Sequence, residues 1–295
     1  MHEDLLQPFL LEHAGVRGAL VRLGPAWRTV AARQDHAAPI REVLGQALAA
    51  SALLTAHVKL QGALSLEFKS AGSLRLLFAE CTDAGRVRGL ARLAEDAEAS
   101  ARDVLDLAAQ PQAVLAITLG GVDSGQRYQG LIDVRQPALA QVLEDYFRQS
   151  EQLPTRIVLA ADADVAAGLL LQQLPGGSVQ DDDAWPRVGH LTDTLTATEL
   201  LRLSAAQVLR RLYHEESPRL FAPRALGFGC SCSQARVEAM LRALGRDEVE
   251  AALAARAGEI EVICEFCAAR YTLDAVDAER VLAAAPNAPA SSTPH

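Results

Sequence analysis

The sequence predicts an α/β (α+β-like) protein in three parts: an N-terminal core with a largely antiparallel sheet and packed helices, a helical linker, and a small C-terminal domain built around cysteines. Three observations lead there. Hydrophobic spacing alternates between a period near 3.6 and a period of 2 up to about residue 174. Composition breaks at Pro175, where Gly176, Gly177 and Ser178 precede Asp181, Asp182 and Asp183. Four of the five cysteines then fall into two tight pairs beyond residue 229.

In the core, Gly15, Gly18 and Gly24 punctuate an alternating run over 16–32, which reads as early strands turning at Gly24-Pro25. From Pro39, Ile40, Val43, Leu44, Ala47, Leu48, Ser51 and Leu54 recur at helical spacing, so a helix to about Val58 presents one apolar face. Pro39 suits its first turn, where a missing N–H costs nothing. Leu64, Leu66 and Phe68 then alternate with Ser65, Glu67 and Lys69, and strand-like runs follow at 74–79 and 86–93. Residues 113–119 and 127–134 flank the glycine-rich GGVDSGQ as a hairpin. A helix over 137–149, a strand over 155–160 and a helix over 162–174 complete the expected core of residues 1–175.

The linker, 176–226, carries two capping-box spacings, Thr196 with Glu199 and Ser204 with Gln207. They open short helices whose apolar faces hold Leu200, Leu201, Val208, Leu209 and Leu212. Helices of two or three turns are not stable alone, so this segment must lie against another surface. The last domain, 227–282, is expected to hold helices at 233–244 and 246–257, each ended by glycine, and strands near 259–263 and 269–273. Residues 283–295 are uncharged apart from the terminus and read as a flexible tail.

Charge and composition narrow the function. At 295 residues with 50% hydrophobic and 22% charged residues the chain is globular. The net charge of −9 divides as −4, −1 and −4 over 1–175, 176–229 and 230–295, so no part has the basic footprint of nucleic-acid binding. No run of about 18 apolar residues suits a bilayer, and Met1-His2-Glu3-Asp4 does not begin a signal peptide. The expected compartment is the cytoplasm, with no membrane partner. Thiols there stay reduced, so clustered cysteines are metal ligands or redox devices more often than structural disulfides.

Cys230-Ser-Cys232 and Cys264-Glu-Phe-Cys267 are separated by 31 residues. Two tight pairs on separate turns supply the four soft donors of tetrahedral zinc. A purely structural zinc module is one reading of that spacing. The first pair, CxC rather than CxxC, is unusual for a structural ribbon and keeps redox use open as the alternative, in which metal-held thiolates that become oxidised to disulfides lose the metal. Local disulfides close loops of only a few residues and remove the link between 230–232 and 264–267. A domain of this size depends on such a staple, so oxidation is expected to unfold it.

These residues resemble the 33 kDa chaperonin family, the redox-regulated heat-shock holdases of bacteria. The resemblance rests on FGCSCSQARVEAMLRALG and EVICEFCAARYTLD, with YQGLIDV, EDYFRQSEQLPT, AAGLLLQQLP and RLYHEESPRLFAPR across nearly the whole chain. It implies a chaperone without enzymatic activity that needs no ATP and is inactive with one Zn2+ held by Cys230, Cys232, Cys264 and Cys267. It implies disulfides Cys230–Cys232 and Cys264–Cys267 in the active form, with zinc released and the last domain and linker unfolded. The implied partners are unfolded or oxidatively damaged client proteins, a second copy in an active homodimer, and ATP-dependent refolding chaperones that take over the clients. Leu200, Leu201, Leu209 and Leu212 are the candidate client-binding residues. A static packing role for these leucines, and a thiol–disulfide oxidoreductase, are the competing readings; the CxxC here does not open a helix after a strand as a thioredoxin-like site does.

Other motifs carry less. His214-Glu215-Glu216 fails as a zinc-protease motif because Pro218 stands where the second histidine is needed. Gly120 and Gly125 have phosphate-loop spacing without the following lysine, and Gly227-Phe-Gly229 lacks a third glycine. Asp181 to Asp183 read as a solvated linker, and Cys81 as a small core residue.

Overall fold

In the computed structural model of the chain, the described residues are 4–58, 61–95, 105–120, 128–175, 181, 183–256 and 258–283. The chain forms two compact units that meet in sequence between Gly229 and Cys230. The architecture is mixed α/β with antiparallel sheets and helices, the class the sequence predicts.

The first unit begins with β1 (Leu5–Leu11) and β2 (Val16–Leu23), then α1 (Pro25–Ala31) and α2 (Ala38–Leu54). Strands β3 (Ala63–Lys69), β4 (Leu74–Thr82), β5 (Arg86–Leu93), β6 (Val114–Gly120) and β7 (Tyr128–Asp133) form a meander-like second sheet in the order β5-β4-β3-β6-β7. Helix α3 (Leu139–Gln149) leads to β8 (Thr155–Ala161) and β9 (Ala166–Gln173), which complete the first sheet in the order β1-β2-β9-β8. Helices α4 (Ala184–Asp193), α5 (Ala197–Arg202) and α6 (Ala205–Tyr213) follow, then three short strands: β10 (Pro218–Leu220), β11 (Arg224–Ala225) and β12 (Gly227–Phe228). β10 and β11 pair antiparallel with β1, and β12 pairs parallel with β5, so this stretch of chain edges both sheets.

Two expectations for the core are corrected. The run after Gly24 is not a strand: Pro25 opens α1, whose Trp27 is fully buried and donates its indole N–H to the Asp162 carbonyl at 2.8 Å. The segment expected as a helix over 162–174 is β9, whose residues from Ala166 to Gln172 are all buried. A strand covered on both faces loses the alternation that would identify it, and a short apolar run cannot then be told from a helix by period. The glycine-rich GGVDSGQ connection lies almost wholly outside the described residues, but β6 and β7 do pair antiparallel.

β9 explains the layering. Ala166 and Leu170 face a large cluster shared with α2, while Ala167, Leu169 and Leu171 face a second cluster shared with α4, α5 and α6. Helix α2 is covered more completely than its predicted stripe: Ala49, Ala50, Ala52 and Leu53 are buried as well, because strands of both sheets flank it. Small residues make that possible, and Ser51 satisfies its hydroxyl on the Leu48 carbonyl at 2.8 Å.

The second cluster seats the linker helices. Both predicted capping boxes are present, at Thr196–Glu199 and Ser204–Gln207. On the sheet beneath, Phe9 stacks near Tyr213 with ring centroids 6.4 Å apart. Gly18, paired with Phe9 across β1 and β2, has no room for a side chain: an added Cβ would lie 2.2 Å from the Phe9 ring. Tyr213 in turn shares a 2.7 Å hydrogen bond with Thr192 of α4. Arg187 of α4 pairs with Glu216, only 4% exposed, at 2.7 Å and with Asp181 at 2.9 Å.

Candidate metal centre

The second unit is built of α7 (Gln234–Leu244), α8 (Arg246–Ala255), the hairpin β13 (Glu259–Ile263) and β14 (Arg270–Asp274), and α9 (Ala275–Ala283). Its buried core among the described residues is Val237, Leu241, Val249, Ile260, Leu273, Ala278 and Val281. That is little apolar area for an independent fold. α9 extends past the end of the last predicted strand, and the expected tail lies outside the described residues from 284 onward.

The cysteine pairs occupy the two turns of this unit. Cys230 and Cys232 immediately precede α7, whose N-cap Ser233 accepts the Arg236 amide, while the Arg236 guanidinium donates to the Ser231 hydroxyl at 2.6 Å. Cys264 and Cys267 sit in the β13–β14 turn, closed by Cys264 N–H to the Ala269 carbonyl at 2.9 Å and Ala268 N–H to the Cys264 carbonyl at 2.7 Å. Ala268 takes a left-handed φ of 57°, a conformation costly for a non-glycine residue and held here by that tight turn.

The four sulfurs all lie within 4.8 Å of one another and form the one group of three or more metal-ligating side chains among the described residues. Cys230 Sγ is 3.6 Å from Cys264 Sγ, and Cys232 Sγ is 3.2 Å from Cys267 Sγ. Tetrahedral zinc with Zn–S near 2.3 Å requires sulfur–sulfur edges of about 3.8 Å, so the set fits the ion in number, softness and spacing. All four are thiols and only partly buried.

Tyr271 of β14 adds a group that the cysteine spacing did not reveal. Its hydroxyl donates to Cys232 Sγ at 3.1 Å. That hydrogen bond is the main cause that brings Cys232 down to about 7, and it raises Tyr271 to about 12. Burial, with the neighbouring thiols, pushes Cys267 up to about 12 and raises Cys230. The crowding of thiols opposes carrying several negative charges together, which a bound cation would compensate. The only sequence signal for Tyr271 is an aromatic residue four positions after the CxxC, on the strand leaving the turn.

Leu200, Leu201, Leu209 and Leu212 lie in the first unit, buried at 7% exposure or less in the second cluster. Cys81 is fully buried in the core, and burial pushes its thiol up to about 11. His214, Glu215 and Glu216 form a single 3-10 turn, and Glu216 is committed to Arg187.

Fold and site together define a class: a mixed α/β protein that carries a module with four clustered cysteines able to hold a metal ion. The sequence model described as Hsp33 protein matches residues 4–274. The 33 kDa chaperonin of Pseudomonas paraeruginosa is 42% identical over 298 residues, covering 100% of this chain and 99% of the relative. That of Nitrosococcus oceani is 41% identical over 294 residues, with the same coverage. The crystal structure of the 33 kDa chaperonin from Thermotoga maritima superposes with a TM-score of 0.81 at 21% identity, covering 96% of this chain and 98% of that one. The chain belongs to the Hsp33 family of chaperones.

Among the described residues, no helix is long and apolar enough to cross a membrane.

Proposed function

We propose that this chain is a redox-regulated, ATP-independent holdase that is inactive when reduced and binds unfolding proteins when oxidised. The observation that carries the reading is four partly exposed sulfurs within 4.8 Å, drawn from two pairs that are each adjacent in sequence. Cys230, Cys232, Cys264 and Cys267 would hold zinc, which supplies a dication that keeps all four as thiolates and joins residues 230–232 to 264–267. Oxidation would pair Cys230 with Cys232 and Cys264 with Cys267. Each disulfide would form as two thiolates give up two electrons; hypochlorous acid takes them with one proton from solvent and leaves as chloride and water, and the loss of the thiolates releases zinc.

The pairing decides the outcome. Disulfides within each pair consume all four donors and leave nothing linking the two turns. Disulfides along the nearest contacts, Cys230–Cys264 and Cys232–Cys267, would keep the link covalently and hold the fold. A unit with so small a core should unfold only in the first case.

The linker would be the second part of the switch. Its leucines are hidden against Phe9, Leu20, Leu169 and Leu171, and α5 and α6 are too short to persist without that surface. Cys230 directly follows the segment of β10 to β12 that edges both sheets, so freeing Cys230 frees one end of that segment. Undocking would expose Leu200, Leu201, Leu209 and Leu212 together with the sheet face, the contiguous apolar surface a holdase requires. On this reading residues 1–175, 176–226 and 227–282 act as platform, switch and sensor. The active form works as a homodimer in the cytoplasm, has no catalytic activity, and passes clients to ATP-dependent chaperones.

The test titrates hypochlorite onto reduced, zinc-loaded protein without ATP, following zinc release with a chromogenic chelator and suppression of client aggregation in parallel. Both should rise together, with peptide mapping finding the two local disulfides. Zinc release without holding activity would leave a structural metal module, and turnover of a dithiol substrate would favour an oxidoreductase.

A further inference from the structure

We propose that a cavity between the two sheets of the first unit binds an apolar carboxylate, with Arg17 as its anchor. The cavity has a volume of about 570 Å³, within the range of roughly 300 to 1,000 Å³ usual for small-molecule sites. Its walls are mainly aliphatic and aromatic, with Leu54, Leu64, Ile117, Leu119, Phe147 and Leu170 among them. It is separate from the cysteine centre and from the face that α4, α5 and α6 cover: Leu170 and Gln172 point to the cavity side of β9, whereas Leu169 and Leu171 point to the helices.

Arg17 of β2 is the cation in that wall, and it is held in place. Its Nε and Nη2 donate to Gln172 Oε1 at 3.1 and 2.9 Å. Gln172 is 3% exposed, and its amide nitrogen donates to the Thr155 hydroxyl at 3.3 Å, which donates to the Leu153 carbonyl at 2.9 Å. This buried relay fixes the guanidinium but is neutral throughout. Among the described residues Arg17 has no carboxylate partner and Nη1 has no acceptor. A partly buried guanidinium beside apolar walls and without a charged partner suits an anion, and a ligand carboxylate would supply both the charge and the charge-assisted hydrogen bond.

The other polar groups of the cavity define what the ligand should not be. His57 is kept neutral, its imidazole brought down to about 4 mainly by burial and further by Arg17. Tyr146 donates to Glu151 at 2.8 Å and lies 3.4 Å from the Tyr128 hydroxyl, so these three satisfy one another. One cation, a second carboxylate already in the wall and apolar surface elsewhere select a monocarboxylate with a hydrocarbon body over a dicarboxylate or a phosphate ester.

Isothermal titration of the reduced, zinc-loaded chain with decanoate, and with decanol as the neutral molecule of equal length, tests this. Decanoate should saturate at one per chain and bind at least tenfold tighter than decanol. Arg17→Gln should bring the two within about twofold. Val58 lines the same cavity and is 46% exposed, so Val58→Trp should obstruct the cavity without disturbing the core and weaken decanoate at least tenfold. Equal binding of decanoate and decanol, uptake of several molecules per chain, undetectable binding, or decanoate affinity unchanged in both variants would each overturn the assignment. None of these readouts depends on holdase activity, so the site stands or falls apart from the function proposed above.

Discussion

The two units of this chain are held together by different means. In the first, two extended apolar clusters share the β2–β9 region of one sheet, and burial on both faces of β9 makes the sheet the common wall of both. In the second, a core of Val237, Leu241, Val249, Ile260, Leu273, Ala278 and Val281 supports three helices and one hairpin. The first unit has enough buried surface to fold by the hydrophobic effect alone. The second, with so small a core, would on the proposed reading depend on its sulfur cluster. On the proposed reading, conditional stability is concentrated toward the C-terminal end of the chain, where a chemical change at four atoms would unfold the second unit, free the linker and leave residues 1–175 standing.

The largest expected effect breaks that arrangement at its source. Cys264→Ser should abolish zinc binding and unfold the second unit, because structural zinc contributes on the order of 10 kcal/mol in small domains. Limited proteolysis with mass spectrometry should locate new cleavages within 176–283 while the fragment 1–175 stays resistant. Unchanged zinc content and unchanged protease resistance would show that the cysteines are not the staple.

A smaller effect tests whether α4, α5 and α6 are dispensable to the first unit. Leu209 is 1% exposed between α6 and the sheet, and Leu209→Ala should cost about 3 kcal/mol for the lost burial and the cavity left behind. Reduced protein carrying this change should already suppress some client aggregation without oxidant. Full stability with no activity in the reduced state would separate linker docking from the switch. Arg187→Ala should act in the same direction with about 2 kcal/mol. It leaves the buried Glu216 carboxylate without its guanidinium, an effect moderated because Arg187 itself is 42% exposed. Urea unfolding of the reduced variant measures the loss, and Arg187→Lys should restore only part of it, since Nε makes the 2.7 Å contact.

Local signals in the sequence located what local physics decides. The capping boxes at Thr196 and Ser204 and the glycine stop at Gly245 appear as read, because each is settled within a few residues. The four cysteines were legible for the same reason, as spacing alone limits which donors can converge. β9 was not, since its identity depends on what covers it. Neither were β10, β11 and β12, of two or three residues each, which exist only because β1 and β5 offer free edges. Helix α4 lacked a capping signal: Asp183 makes no side-chain cap. Tyr271 escaped because a hydroxyl aimed at Cys232 Sγ depends on the β13–β14 register, which residue spacing does not encode.

The smallest effect contrasts acid with oxidant as a stress on the two units. His57 follows α2, its Nε2 buried and, among the described residues, without a hydrogen-bond partner, and its imidazole is lowered from 6.5 to about 4 in the fold. A folded-state pKa below the unfolded value means that the unfolded chain binds more protons between pH 6.5 and 4, so this group favours folding above pH 6.5 and its contribution is lost as pH falls toward 4. From pH 7 to pH 5 the loss should be at most about 2 kcal/mol, and less after solvent screening at a partly buried site. Acid also protonates thiolates and so weakens the second unit, which makes the raw pH profile ambiguous. His57→Leu removes the titration and leaves every cysteine in place. The difference between the two unfolding profiles, followed by the fluorescence of Trp27 in the first unit after Trp185→Phe in both proteins, isolates His57: the wild-type background should lose stability faster than His57→Leu between pH 6.5 and 5. Parallel profiles would mean that the imidazole takes up its proton in the fold as readily as in the unfolded chain.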